Sequence, residues 1–353
     1  MEHSNTIPET TIGLDLGDRA SFFVTLDGSG RKKQEGKVPT RERNLRKVFS
    51  RYEPCRMALE VGTHSPWVVR VLRDLGHEVW VANPRELRLI YQNPNKDDRL
   101  DAESLARLAR VDPQLLKPIE HRSLEAAADL AQLKTRQKLV GVRASLVNHC
   151  RGVVKTVGER LPGCSTPSFH KKVRGHIPES LVPALEPLVV EIGRLTEQIK
   201  TMDYQLAQVS KRYPQTTVMQ QIKGVGPITS LAYALIIEDP LRFSKSRQVG
   251  AYVGLCPGRR QSGKRDPQLR ITKRGDKLLR SLLVSCAHYI LGPFGEECDL
   301  RRFGLRLSES GGKKAKRVAT VAVARKLAVL MHHLWVSGQV YDPLFNQTLE
   351  SAA

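Results

Sequence analysis

Asp15, Glu60, Asp98 and Asp101 are four carboxylates in the first third of a chain of 353 residues with formal net charge +21. So basic a surface draws polyanions to it. A tight group of carboxylates inside that surface repels phosphate unless divalent cations lie between the two, the usual arrangement for phosphodiester chemistry. Two of these acids close short apolar runs, TIGLD (11–15) and MALE (57–60). The other two are three residues apart in KDDRLDA (96–102), at the start of a helical pattern that turns both to one face. Two acids from strands and two from a helical turn suit a pair of Mg²⁺ ions, one polarising the attacking group and the other the leaving oxygen. Asp98 and Asp101 equally suit the positive end of a helix with no metal, and Asp97 competes with Asp98 for the third place in the set.

A second group of reactive and basic residues lies at 254–283, GLCPGRRQSGKRDPQLRITKRGDKLLRSLL. Ser262 stands beside Gly263 among Arg259, Arg260, Lys264 and Arg265, and Arg270, Lys273 and Arg274 continue the run. Between Arg259 and Arg280 nine Lys or Arg meet only Asp266 and Asp276. A serine hydroxyl attacks phosphorus when one group takes its proton and others stabilise the charge on the phosphorane. The cations serve the second need, and a carboxylate or a metal-bound oxygen the first. From its neighbours alone Ser262 is foremost a loop serine on a DNA-binding surface and only secondarily a nucleophile. Upstream, IKGVGPITS (222–230) is a turn between helices in which Gly224 and Gly226 free backbone N–H groups to hold a phosphate, as in helix-hairpin-helix modules. A tight turn without a ligand reads almost as well.

The elements that position these residues follow from hydrophobic period. TIGLDL (11–16) and SFFVTL (21–26) are β-branched and apolar runs separated by GDRA, a hairpin signal. Residues 31–39 add a polar edge strand, 41–52 a helix, 57–61 a strand, 65–75 a helix, 77–82 a strand and 101–110 a helix. Three antiparallel strands followed by helix, strand, helix, strand and helix is the order of a ribonuclease H-like domain. Residues 123–157 form a long helix with Leu139, Val142, Leu146, Cys150, Val153 and Val157 at spacings of three and four. Leu188, Ile192, Leu195, Ile199, Met202, Leu206 and Val209 then keep a heptad seam, which favours coiled-coil packing within one chain or between two. From about Gln220 the chain is helical and more basic. The fold class expected is α/β plus all-α, in three parts: 1–118 catalytic, 119–215 helical linker and oligomerisation segment, 216–353 DNA-binding.

Composition narrows the field further. Hydrophobic content of 40% with 26% charged residues describes a globular protein rather than a disordered one. The six cysteines, scattered with no C-x-x-C pair, fit neither a zinc site nor a disulfide framework and read as reduced thiols. MEHSNTIPET has no basic-then-apolar leader, and the longest apolar run, 281–294, is too short to span a bilayer and carries His288. A cytoplasmic, nucleoid-associated protein is expected.

These residues together resemble the DEDD-type transposases of the insertion-sequence "one-ten" family, including its "eleven-eleven" branch. The likeness rests on GLDLGD (13–18), ALE (58–60), ANP (82–84) and KDDRLDA, and at the far end on IKGVGPITS, AYVGLCPGRRQSGK (251–264) and RITKRGDKLLRSLL (270–283). The resemblance implies a RuvC-like N-terminal domain joined by a coiled coil to a transposase domain, acting with Mg²⁺ (Mn²⁺ substituting). It implies that Asp15, Glu60, Asp98 and Asp101 bind the metal and that Ser262 becomes covalently joined to DNA. It further implies donor and target DNA as partners, a structured noncoding bridge RNA as guide, and a homo-dimer or homo-tetramer. Two positions depart from the family pattern: K-D-D stands for its usual K-T-D, and Q-S-G, with Gln261, for its usual S-S-G. The rival readings are a metal-dependent junction-resolving endonuclease in which water attacks and a nucleic-acid-binding relic without activity. A third, an actin-like ATPase, needs a second glycine-rich phosphate loop, which this sequence does not offer at a suitable place, and a net charge of +21 fits it poorly.

Overall fold

The computed structural model describes residues 8–83, 97–261, 267 and 269–346. By internal contacts the chain divides into two compact units, Met1–Arg122 and Ser123–Ala353.

The first unit is built on a five-stranded mixed sheet. Its strands are β1 (Thr10–Asp15), β2 (Ala20–Asp27), β3 (Lys32–Pro39), β4 (Arg56–Glu60) and β5 (Glu78–Ala82), in the order β3-β2-β1-β4-β5. β1, β2 and β3 run antiparallel, while β4 lies parallel to β1 and β5 parallel to β4. The β2–β3 turn is fixed by Asp27, whose carboxylate accepts from Ser29 and Arg31 N–H at 2.9 and 3.0 Å, and by Gly30 at φ +81°. Helices α1 (Glu42–Phe49), α2 (Ser65–Asp74) and α3 (Asp98–Val111) complete the unit. This mixed sheet with its helices is consistent with a ribonuclease H-like domain.

Alternation along the strands divides the side chains between two cores. Ile12, Leu14, Met57 and Leu59 pack with Leu45, Phe49, Val68 and Leu72 of α1 and α2. Ala58, Trp80 and Ala82, with Val24 and Leu26, pack on the opposite face against Ala102, Leu105, Ala106 and Ala109 of α3. At its centre, on β1 and β4, that face narrows to Gly13 and Ala58 because α3 comes very close. A Cβ built on Gly13 would lie 1.9 Å from the Ala102 carbonyl oxygen and 2.7 Å from Ala106 N, so only glycine fits at the centre of β1.

The second unit is helical: α4 (Leu124–Thr156), α5 (Phe169–Lys172), α6 (Val182–Ser210), α7 (Gln215–Met219), α8 (Pro227–Ile237), α9 (Arg247–Tyr252), α10 (Lys277–Leu291), α11 (Asp299–Ser308) and α12 (Gly312–Ser337). Ser123 caps α4, its Oγ accepting Ala126 N–H at 3.1 Å. α4 and α6 pack on each other within the chain. The stripe expected on α4 is displaced by one residue: Val147, Cys150 and Val154 are buried with Leu185, Val189 and Ile192, while Val142 and Val157 are exposed. Apolar pairs at 146–147 and 153–154 allow either register, and the segment carrying Phe169 and Val173, also in this core, selects the inner one. On α6 the seam residues Ile192, Leu195, Ile199 and Leu206 are buried and Leu188, Met202 and Val209 half-buried. Arg136 fixes the hairpin with two bonds to the Asp203 carboxylate, at 2.7 and 3.1 Å.

The C-terminal core forms around α8. Thr229 to Ile237 are all buried, which makes this helix apolar all round and central. α4, α6, α7 and α10 pack on it, and the Tyr233 hydroxyl donates to the Ala328 carbonyl of α12 at 2.6 Å. All six cysteines are free thiols. Among the described residues no helix is long and apolar enough to cross a membrane.

Candidate active site

The sheet register brings the first two acids together. Gly13 pairs with Ala58 and Leu14 with Leu59 across β1 and β4, so the next rung sets Asp15 beside Glu60. Both continue the alternation of Gly13 and Ala58 and therefore project toward the face that α3 covers. The first turn of α3 supplies Asp98 and Asp101, one turn apart. Gly13 thus lets the helix carrying two of the acids reach the strands carrying the other two.

The electrostatics of Asp15 record this convergence. Its pKa is raised from 3.8 to about 6, first by burial and then by the charges of Asp98, Asp101 and Glu60. Leu16 N–H, bonded to the Asp15 carboxylate, pulls weakly the other way. Each of the other three acids therefore acts on Asp15. Asp97 plays a different part: it is the N-cap of α3, its carboxylate accepting Arg99 N–H at 3.0 Å. The structure separates the adjacent acids of K-D-D accordingly, Asp97 holding the helix end and Asp98 standing in its first turn.

Four carboxylates that crowd one another in this way form a hard oxygen donor set suited to a divalent cation, whose charge offsets their repulsion. As the side chains stand, no three His, Cys, Asp or Glu groups among the described residues are close enough to hold an ion together. An ion held by these four acids would require their side chains to draw closer than they stand.

The strand ends carry a second pair that sequence reading passed over. His64, four residues beyond Glu60, and Asp18, three beyond Asp15, meet at 3.2 Å between Nε2 and Oδ1. Trp67 donates its indole N–H to His64 Nδ1 at 3.1 Å. With Nδ1 accepting, the neutral ring carries its proton on Nε2 and donates it to Asp18. The available signal was that each lies three or four residues, one helical turn's length, beyond a strand acid.

In the second unit, the ends of the serine-bearing segment are held by a short antiparallel ladder. Gly258 N–H donates to the Arg270 carbonyl and Thr272 N–H to Cys256, each at 2.9 Å, with Pro257 and Ile271 bridged between them. Below it two glycines let the chain cross itself: at Gly254, with φ +73°, a Cβ would meet Arg274 N at 2.7 Å, and at Gly275 it would meet the Tyr252 carbonyl oxygen at 2.1 Å. Arg259, Arg260, Arg270, Lys273 and Arg274 are exposed around this ladder. Ser262, Lys264 and Arg265 lie outside the described residues.

The turn of IKGVGPITS joins α7 to α8, as its pattern predicts. Gly224 takes φ +95° against the ring of Tyr289, where a Cβ would lie 2.7 Å away, and Gly226 is the N-cap of α8 in open space. Lys223 beside it is paired with Glu296 at 3.4 Å.

Sheet, acids and basic helical unit together define an enzyme acting on nucleic acid, and comparison with known proteins gives the kind. Residues 12–158 match the DEDD transposase profile of the IS110 type, and residues 216–294 match the transposase IS116/IS110/IS902 family. The chain is 27% identical over 346 residues to the transposase for insertion sequence element IS1328 of Yersinia enterocolitica, covering 94% of this chain and 98% of that one. It is 26% identical over 337 residues to the transposase for insertion sequence element IS1111A of Coxiella burnetii, covering 94% and 90%. To a probable family 20 transposase of Pseudomonas aeruginosa it is 26% identical over 345 residues, covering 94% and 98%. The chain belongs to the IS110 family of transposases, enzymes that bind DNA and cleave and transfer its strands. A DEDD-type domain points to dependence on a divalent metal.

Proposed function

We propose that this transposase cuts and rejoins DNA through a phosphoserine intermediate, with Asp15, Glu60, Asp98 and Asp101 holding Mg²⁺ and Ser262 as nucleophile. The observation that carries the reading is the convergence of three carboxylates on the half-buried Asp15, an arrangement that costs stability without a cation. Bound Mg²⁺ supplies charge stabilisation at the scissile phosphate. In the cleaving step the Ser262 Oγ–P bond forms as the P–O bond to the departing deoxyribose breaks. The serine proton goes to a base, and the departing oxygen takes a proton in turn. The covalent link conserves the phosphodiester bond energy, so a second strand's hydroxyl rejoins the DNA without ATP. Arg259, Arg260, Lys264, Arg265, Arg270, Lys273 and Arg274 offset the charge on the transferring phosphate and its neighbours. Gly224 and Gly226 offer backbone N–H groups to a further phosphate.

Residues 1–118 are the RuvC-like catalytic part, 119–215 the coiled-coil arm and 216–353 the serine-bearing part. An oligomer, dimer or tetramer, places acids and serine from different subunits on one phosphate. A structured noncoding bridge RNA from the element's own flank carries most of the sequence choice by base pairing.

The test is detergent-stable protein–DNA linkage in cells that express the protein from its own locus with flanking noncoding DNA, wild type against Ser262→Ala. The expected result is an adduct in wild type and none in the variant, which still binds nucleic acid. DNA cut with no adduct in either would replace serine attack by water attack.

A further inference from the structure

A groove of about 2350 Å³ runs between α11 and α12. Ten lysines and arginines line it against Asp299, Glu309 and Asp342. Among the described residues, Lys313, Lys314, Arg317, Arg325 and Lys326 form no ion pair with a carboxylate. Their charge is available to a ligand.

The sequence of α12 explains how the groove arises. Ala319, Val323, Ala324, Leu327, Met331 and Leu334 are buried in the core of the unit. The face turned away carries Lys314, Val318, Val321, Arg325 and Val329 at helical spacing, all lining the groove. Across from it stand Phe303, Leu305 and Arg306 of α11. Half of Val318 and 42% of Leu305 are exposed, so apolar surface is open to solvent between the cations. From Lys313 to His333 this face is about 30 Å long at 1.5 Å per residue.

Cations interleaved with an open apolar floor distinguish between polyanions. A duplex turns its phosphates outward and keeps its bases stacked inside, so it has no use for the floor. A single strand sets its bases on apolar and aromatic side chains and its phosphates against the cations, over sites of about 4–16 nucleotides. The groove also has a direction. Pro257, Arg270, Ile271 and Lys273, from the ladder whose arms lead in sequence to residues 262–266, form one of its walls.

We propose that the α11–α12 groove binds single-stranded DNA, with Lys314, Arg317 and Arg325 on its phosphates and the Phe303 ring under a base. DNA is the occupant because strand transfer exposes single strands of DNA, and because one wall is built from residues that flank Ser262 in sequence. That last point rests on the serine reading above; the binding itself does not. Lys326, whose Nζ lies 3.9 Å above the Phe303 ring, marks the place a base takes and moves to its phosphate.

The test is fluorescence anisotropy of a labelled 16-nucleotide oligothymidylate with the full chain. Every protein carries Ser262→Ala, so that failure of covalent chemistry cannot be mistaken for failure of binding. Adding Lys314→Gln, Arg317→Gln and Arg325→Gln should lower the slope of log affinity against log salt by about 2, at about 0.7 per lost contact. Adding Phe303→Leu instead should weaken the single strand roughly fivefold or more and leave a blunt 16-base-pair duplex unchanged. If the triple variant melts lower than its parent, Lys313→Gln with Lys326→Gln serves in its place, both side chains being exposed. An unchanged salt slope overturns the proposal. So does equal loss on the duplex, tighter binding of oligouridylate RNA than of DNA, or displacement by an acidic peptide alone.

Discussion

Asp15→Asn should stabilise the metal-free protein at neutral pH, and the gain should vanish in acid. The folded pKa of about 6 lies above the ordinary 3.8, so the folded state prefers the protonated carboxyl. The stability tied to that proton is fully present below about pH 4 and is lost as the pH rises through 6. A shift of this size corresponds to about 3 kcal/mol at full strength, at 1.36 kcal/mol per pKa unit. Asp15 is only half-buried and Asp98 is exposed, so solvent screening reduces the penalty to about 1–2 kcal/mol. Asparagine keeps the shape and an oxygen for Leu16 N–H, and it cannot ionise. Urea unfolding in EDTA should therefore place the variant about 1–2 kcal/mol above wild type at pH 8 and level with it near pH 4. In melting temperature of the N-terminal unit this is roughly 3–8 °C. Added Mg²⁺ should close the gap by stabilising wild type through binding to the folded state, with much less effect on the variant, while strand cleavage is lost. A variant no more stable than wild type at pH 8, or better by the same amount at both pH values, would refute the claim that burial and the neighbouring acids penalise the charge on Asp15.

Three further outcomes follow from the same region and from the helical unit. Gly13→Ala sets a methyl 1.9 Å from the Ala102 carbonyl and should cost about 1–3 kcal/mol or more by urea unfolding; because α3 must shift, cleavage should fall further than the unfolded fraction explains. Asp97→Ala should cost about 1 kcal/mol through the lost cap and retain cleavage, whereas Asp98→Asn should remove cleavage with little loss of stability; the reverse pattern would make Asp97 the metal ligand. Asp129 is 2% exposed and accepts from Arg212 at 2.6 and 2.7 Å and from the Tyr213 hydroxyl at 2.6 Å. Asp129→Ala should lower stability by about 1–3 kcal/mol, read by thermal unfolding, since it strands the Tyr213 phenol and leaves Arg212 only its pair with Glu125.

The acid site was legible because its information is local. TIGLD and MALE alternate with period two and each ends on its acid, and K-D-D-R-L-D opens a helix whose pitch joins Asp98 to Asp101; that β1 lies beside β4 comes from the sheet register. What sequence could not separate was Asp97 from Asp98, since the choice depends on which residue adopts the extended cap conformation. Asp97 does so at φ −143°. Gly13 gave no signal beyond a glycine in a strand, because its reason is the backbone of a helix almost ninety residues away. The α4 stripe was displaced for a related cause: two apolar residues in succession leave the helix face open until the Phe169 segment settles against it. His64 and Asp18 were passed over because neither lies on a periodic element, and their pairing appears only once β1 and β4 are in register.

The position of an acid group within so basic a chain has a consequence for how the enzyme meets DNA. At long range the net charge of +21 dominates, and it weakens with salt because the Debye length falls to about 8 Å at physiological ionic strength. Around Asp15 the local sign is negative, since the charges of Asp98, Asp101 and Glu60 all act on it. Attraction and repulsion therefore act at different distances on the same ligand. On the proposed reading, in which the arginines and lysines outside the acid group hold the backbone, binding should be set by salt and nearly indifferent to metal. Cleavage should depend steeply on divalent metal, since only there must phosphate approach the acids. A protein whose DNA affinity rose with Mg²⁺ as steeply as its cleavage would have its acids in the binding surface itself, and the separation of long-range attraction from local chemistry argued here would not hold.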